Sequence, residues 1–257
     1  MDDFELVWSD EFDGDTLDTS KWSTRQATEI RRGGYWNGDL LEVKDGNLVI
    51  YSKYLENGVQ EGDPAGWYTA QVSSRGLYEQ TYGYFEVRCI LPEGYGQWAA
   101  FWMNSPAMGN STYIDSRKGA EIDIFESAYF GTDNPDKVTS AVHFGGYGSA
   151  LTSISPIYTG GVQPVDPYHS FNTYGLEWNE SEYIFYINGE VYARTNRFQV
   201  MPSQTPEYLI LSVEMSGSDG IPYNSSDSTW APGTMEDNGR DFVSEFVIDY
   251  VRCYQYK

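Results

Sequence analysis

Tyr183-Ile-Phe-Tyr-Ile-Asn-Gly-Glu-Val-Tyr192 reads as two short alternating strands joined by Asn188-Gly189. Asn-Gly readily supplies the two left-handed central residues of a type I′ turn, whose twist suits the flanking strands, so the stretch predicts a β-hairpin. Leu41-Glu-Val-Lys-Asp-Gly-Asn-Leu-Val-Ile50 repeats the design around Asp45-Gly46. Working outward, further strands read at Tyr84–Leu91, Glu121–Ser127, Thr139–Phe144, Tyr208–Glu214 and Phe242–Tyr254. No stretch of ten or more residues carries a convincing helical period. Regular strand spacing without helices predicts an all-β chain, a sandwich or jelly roll. No linker, repeat or charge block divides the 257 residues, so 1–257 is expected to be one domain. Segments 104–119, 145–168 and 216–240 are Gly/Ser/Asn/Pro-rich and longer than hairpins require; such loops commonly wall or cover a cleft.

Composition narrows the partners. Thirty-eight Asp and Glu against 16 Lys and Arg give a net charge of −22. That surface repels phosphate backbones and anionic headgroups, which argues against nucleic acid and membrane surfaces. A neutral polysaccharide meets no such repulsion. Twenty-two Tyr and 8 Trp exceed what a core needs, and a flat apolar face with a polar tip suits stacking on sugars, although core packing takes much of the surplus. No apolar run reaches 18 residues, and no signal peptide opens the chain. Either a mature domain with an added start Met or a cytosolic protein would begin this way. Cys89 and Cys253 each lie on the apolar side of a strand, where they could pair or remain buried thiols. Asn110, Asn179 and Asn224 begin glycosylation sequons, meaningful only in a host that glycosylates.

The chemistry concentrates in Gly119-Ala-Glu-Ile-Asp-Ile-Phe-Glu126. Side chains alternate along a strand, so Glu121 and Asp123 share one face while Ile122 and Ile124 turn to the core. Like charges this close raise one another's pKa, and a purely structural strand would be better without them. Strict alternation puts Glu126 on the opposite face; a one-residue β-bulge around Phe125 would bring it back. Retaining glycosidases need two carboxyl groups roughly 5–5.5 Å apart. The Cα atoms of Glu121 and Glu126 would sit about 13 Å apart, so the side chains must lean together over Asp123. Asp123 is then placed to hydrogen-bond one of them, lowering the nucleophile's pKa while its field keeps the acid protonated. By spacing alone, an exposed acidic edge strand or a calcium site fits as well as catalysis.

Glu121-Ile-Asp-Ile-Phe-Glu126 resembles the E-x-D-x-x-E signature of glycoside hydrolase family 16 in the bulged form of its laminarinases, agarases and carrageenases. Its lichenases and xyloglucan transglycosylases have a shorter E-x-D-x-E. Tyr82-Gly-Tyr-Phe-Glu-Val-Arg-Cys-Ile-Leu-Pro92 and Gly96-Gln-Trp-Ala-Ala-Phe-Trp-Met103 are similar to family segments, as are Trp8-Ser-Asp-Glu-Phe-Asp-Gly14, Tyr174-Gly-Leu-Glu-Trp178 and Ile248-Asp-Tyr-Val-Arg252. The resemblance spans nearly the whole chain. It implies a concanavalin A-like jelly roll of two curved antiparallel sheets with a concave substrate cleft, acting as a secreted or cell-surface monomer on a polysaccharide or oligosaccharide. Glu121 then corresponds to the nucleophile, Asp123 to the assisting acid and Glu126 to the acid/base. Trp98 and Trp102 resemble the tryptophans that stack sugar rings, with buried core the competing reading. Trp36 is a stacking residue or a loop anchor. His143 resembles a cleft histidine and Arg75 a substrate-contacting arginine. The resemblance further implies a structural calcium at Glu11, the Gly46 carbonyl and Asp249, hard oxygen donors of the kind Ca²⁺ takes, and no cofactor for catalysis.

Two segments depart from the family's β-glucanases. Their Asn-Asn-Glu-Leu is replaced by Ala27-Thr-Glu-Ile30, which keeps Glu29, and a Gly-Gly-containing stretch by Leu211-Ser-Val-Glu-Met-Ser-Gly217. Both border the subsites that recognise glucose. The expected activity is a retaining endo-glycosidase on β-1,3- or mixed β-1,3(1,4)-glucan. The alternatives are an endo-β-galactosidase-like enzyme on galactan or host glycans, and a non-catalytic lectin-like domain, which the retained glutamates disfavour. The scarcity of Lys and Arg argues against heavily sulfated chains.

Overall fold

Both hairpin turns form as predicted: φ is 50° at Asn188 and 79° at Gly189, and 52° at Asp45 and 73° at Gly46. The computed structural model describes residues 3–109, 115–216 and 233–257. Parts of the segments 104–119 and 216–240, and the sequons at Asn110 and Asn224, lie outside the described residues. Strands Glu121–Ser127 and Thr139–Phe144 have their predicted ends, and Gly83–Ile90, Tyr208–Met215 and Val243–Tyr256 fall within two residues of theirs. The helical segments among the described residues are short 3₁₀ turns at Gly38–Leu40, Pro106–Gly109, Ser116–Lys118 and Met235–Asn238.

The strands form two sheets. The smaller runs in the order Thr152–Ile154, Thr139–Phe144, Glu121–Ser127, Gln97–Asn104, Tyr208–Met215, Gln71–Ser73 and Ser23–Thr24. The larger is centred on Asn172–Trp178, Gly83–Ile90, Val243–Tyr256 and Asn47–Leu55. Among the described strands, pairing is antiparallel except between Gly34–Trp36 and Gly66–Thr69, and an isolated parallel bridge joins Arg32 to Met215. This is the jelly-roll sandwich expected, with sequence-distant strands as sheet neighbours.

Period-two alternation decides what each face of the smaller sheet carries. Along Gln97–Asn104, Ala99, Phe101 and Met103 are fully buried, whereas Trp98, Ala100, Trp102 and Asn104 point away from the core into a cleft. Along Tyr208–Met215, Leu209, Leu211 and Val213 are buried against the other sheet, while Tyr208, Ile210, Ser212 and Glu214 face the same cleft. Phe85, Val87, Leu176, Phe246 and Ile248 complete the core from the larger sheet. Each large side chain buried there contributes on the order of 2 kcal/mol. Trp22, Trp67, Trp178, Tyr68, Tyr174 and Tyr183 are all fully buried, so part of the aromatic surplus is core. Cys89 and Cys253 are buried free thiols. Cys89 sits opposite Ile248 and Cys253 opposite Phe85, so the register does not place the cysteines opposite each other.

Candidate active site

The bulge lies where strand parity required it. Against the Gln97–Asn104 strand, Phe101 pairs with Phe125 but the next residue, Trp102, pairs with Asp123. On the other side Asp123 pairs with Ala141 and Glu126 with Thr139, three steps against two. One extra residue at Ile124–Phe125 is thus accommodated, and both side chains are buried. Phe125 packs on Tyr174 with ring centroids 4.3 Å apart, which anchors the bulge in the core. The extra residue re-aims the chain. Glu121, Asp123 and Glu126 consequently line one cleft of about 370 Å³.

Glu121 begins its strand between Asn104 and His143. Its Oε2 accepts hydrogen bonds from the Tyr147 hydroxyl and, at 3.4 Å, from Asn104 Nδ2, which also donates to Tyr147 at 2.7 Å. Burial pushes Glu121 up to about 7 and the charge of Asp123 adds to this; Tyr147, His143 and Arg31 pull the other way. Glu126 is driven well above the usual carboxyl range, chiefly by burial and then by Asp123. Its Oε1 accepts a 2.9 Å bond from Trp98 Nε1. Both carboxyls therefore carry a strong bias toward the protonated form. Glu121 is left where it ionises near neutrality.

Asp123 is 4% exposed, and its Oδ2 lies 3.1 Å from His143 Nε2. The expectation that Asp123 lowers the nucleophile's pKa is corrected: its charge raises both glutamates, and the polar group facing it is His143. Burial alone would lower His143, but the Asp123 contact and the nearby acids overcome it and raise the imidazole to about 9. His143 is thus a cation at neutral pH, with Nδ1 held 2.7 Å from Ser153 Oγ.

Trp102 is half-buried on the cleft face, its Nε1 3.1 Å from Ser212 Oγ. Trp98 also lines the cleft, with the Arg32 guanidinium 5.4 Å from its ring centroid. Trp36 ends the short strand Gly34–Trp36 rather than sitting in a loop; it is 5% exposed, donates to the Val213 carbonyl at 2.7 Å, and has Arg31 over its ring. That leaves little of it for stacking, although it borders the cleft. Glu29 lies at the mouth, exposed and 3.2 Å from Arg25. Arg75 is exposed outside the cleft lining, its guanidinium 5.5 Å from the ring of Tyr208, which does line it. Arg75 thus borders the cleft through Tyr208 rather than lining it.

Sequence reasoning missed several cleft residues. Tyr147 comes from the 145–168 segment, where a wall was expected but no residue singled out. Arg31 and Arg32 both pair with Glu214, Arg31 Nε at 2.6 Å, although they lie more than 180 positions apart in the chain. Glu214 lies in one of the two segments in which the sequence departs from the family's glucanases, and Arg31 and Arg32 directly follow the other.

The residues proposed for calcium do not fit that ion. Glu11 is held by Arg252 through two bonds of 3.0 and 2.8 Å, and Asp249 is paired with Arg88. A calcium would have to displace two guanidinium groups and would gain one carbonyl at Gly46. The Trp8–Gly14 motif has a structural use instead: buried Asp10 accepts bonds from Trp22 Nε1 at 2.8 Å and from the Phe12 amide.

Residues 5–256 match the family model described as the GH16 domain of β-porphyranases A–D. A β-glucanase of Rhodothermus marinus is 28% identical over 275 residues, covering 98% of this chain and 86% of that protein. A keratan-sulfate endo-1,4-β-galactosidase of Sphingobacterium multivorum is 29% identical over 98% of this chain and 56% of that longer protein. The solved catalytic domain of an endo-1,3-β-glucanase (laminarinase) from Thermotoga petrophila superposes with a TM-score of 0.71 at 28% identity, covering 99% of both chains.

Proposed function

We propose that this chain, which belongs to glycoside hydrolase family 16, cuts internal β-1,3- or mixed β-1,3(1,4)-linkages of a glucan by double displacement. The observation that carries the reading is the bulge that turns Glu126 onto the face of Glu121. Glu121, the group biased toward ionisation near neutrality, attacks the anomeric carbon while Glu126, protonated, gives its proton to the departing glycosidic oxygen. A glycosyl ester on Glu121 results. Glu126, now a carboxylate, takes a proton from water, which attacks the same carbon and frees Glu121 with net retention. His143⁺ beside Asp123 limits the negative charge accumulated in the site. The half-buried Trp98 and Trp102 offer apolar surface to the sugar rings. A polymeric substrate suits a secreted or cell-surface monomer.

The glucanases among the relatives favour a glucan. One observation supports a second reading, a β-galactan that carries anionic groups. Arg25, Arg31 and Arg32 all line the cleft, although the chain has only 16 Lys and Arg. The overall scarcity of cations therefore does not describe the cleft, and the matching family model is that of β-porphyranases.

The deciding experiment digests laminarin, barley β-glucan, lichenan, agarose, a sulfated galactan and mucin-type glycans, following new reducing ends by NMR. Internal cleavage of the glucans with β-anomer formed first is the expected result. Turnover confined to galactans would select the second reading, and α-anomer as first product would overturn double displacement.

A further inference from the structure

The three groups at the centre of the cleft also have the composition of a transition-metal site. Glu121, Asp123 and His143 each offer one ligand atom, and these atoms lie within 4.8 Å of one another. His143 Nε2 is 3.9 Å from Glu121 Oε1 and 3.1 Å from Asp123 Oδ2. Ligand atoms around Zn²⁺ bonded at roughly 2.0–2.2 Å are about 3–4 Å apart, so a shift of under ~1 Å closes the set. Asp123 points inward: it is 4% exposed, and the imidazole that faces its Oδ2 at 3.1 Å is not directed as a hydrogen bond. A buried carboxylate oxygen needs a well-directed donor or cation, and a metal ion between the three groups would supply one in place of the imidazole proton.

The surroundings orient the donors. Ser153 Oγ holds His143 Nδ1 at 2.7 Å, the outer-shell bond that fixes a ligating imidazole with Nε2 free for a metal. Tyr147 and Asn104 occupy Glu121 Oε2, which leaves Oε1 toward His143. The cleft supplies the open side for water ligands. An imidazole with two carboxylates selects Zn²⁺ or its neighbours over Ca²⁺ and Mg²⁺, which take oxygen.

We propose that Glu121, Asp123 and His143 bind one Zn²⁺ reversibly, and that the ion blocks the site by occupying Glu121. Binding displaces the imidazole Nε2 proton and any proton on the carboxyls. It does not depend on the proposed reaction, because it is measured without substrate.

The test is calorimetric titration of the chelator-treated protein with ZnCl₂, repeated with CoCl₂ while recording visible absorption. One site per chain is expected, with a cobalt band responding to the nitrogen ligand and full release by EDTA. His143→Gln should abolish binding. Ser153→Ala should weaken it roughly 10–100-fold while keeping all three ligands, which covers the case in which the His143 variant fails to fold. His169→Gln should bind normally; it alters the exposed His169–Asp166–Glu93 group, the other histidine with acidic neighbours. No saturable 1:1 binding, binding that survives His143→Gln, or binding lost with His169→Gln would each overturn the proposal.

Discussion

The indole Nε1 of Trp98 donates a 2.9 Å hydrogen bond to Glu126 Oε1. That bond favours the carboxylate form of Glu126, against the burial and the Asp123 charge that oppose it. In double displacement the carboxylate form acts in the second step, as the base on water. Trp98→Phe keeps a ring beneath Arg32 and removes the donor. A bond to a charged group is worth about 1.5–3 kcal/mol, so hydrolysis of the intermediate should slow roughly tenfold or more. Stopped-flow should show a burst of leaving group and a lower kcat. A variant with only a raised KM would make Trp98 a stacking surface alone.

The acid limb of kcat/KM should be set by Glu121 and the alkaline limb by Glu126. Glu121 must be ionised to attack, so activity rises with pH through about 7; Glu126 must be protonated, so activity falls as pH climbs through its strongly raised value. The two limbs belong to an interacting group of charges and are macroscopic values. Removing the His143 cation or the Tyr147 donor leaves Glu121 with less to hold its charge. His143→Gln and Tyr147→Phe should therefore move the acid limb to higher pH and reduce activity more at pH 6 than at pH 8. A pH–rate profile with an unmoved limb contradicts the assignment of Glu121 as nucleophile.

How much of this was legible in the sequence follows from locality. Glu121, Asp123 and Glu126 lie on one strand, where the two-residue period fixes their faces and exposes the need for a bulge. The hairpins announce themselves through Asn188-Gly189 and Asp45-Gly46. Asn104 was within reach too, since it continues the alternation of Trp98 and Trp102 by one more step. Tyr147 carries no such signal, because an irregular loop has no period. The pairing of Arg31 and Arg32 with Glu214 depends on two distant segments meeting across the cleft, which no local pattern reports. The pairing of two of the residues expected to hold calcium was hidden for a related reason: Arg88 reaches Asp249 and Arg252 reaches Glu11 from distant parts of the chain.

Glu214 should matter for binding and folding more than for the chemical step. Its carboxylate is nearly buried between Arg31 and Arg32, well away in sequence from the reacting acids. Glu214→Gln leaves two crowded guanidinium groups without their counter-charge, and Arg32 already sits at about 10 through burial and the Arg31 charge. A loss of about 1–3 kcal/mol in urea unfolding is expected. On whichever polysaccharide proves to be the substrate, KM should rise and kcat should change less than threefold. A kcat loss with unaltered KM would move Glu214 into the catalytic step.

Glu207 offers the sharpest stability test. It is 1% exposed, accepts the Ala120 amide at 3.0 Å immediately before the nucleophile, and is pushed up to about 8 by burial, against the pull of its hydrogen bonds. An acid whose folded pKa lies above its unfolded value retains a proton that the unfolded chain has already lost. Between the unfolded value near 4.5 and the folded value near 8, the folded state binds more protons, so its stability falls as pH rises. The slope approaches about 1.4 kcal/mol per pH unit across that window. Glu207→Gln preserves an acceptor for Ala120 and abolishes the titration. Urea unfolding at pH 5, 6.5 and 8 should show the variant gaining on the parent at each step, with the difference flat below pH 4.5. The raised pKa values of Glu121 and Glu126 act with the same sign in both proteins and cancel in the difference. Parallel curves at all three pH values would mean that Glu207 is ionised in the folded protein, with a partner that offsets its burial.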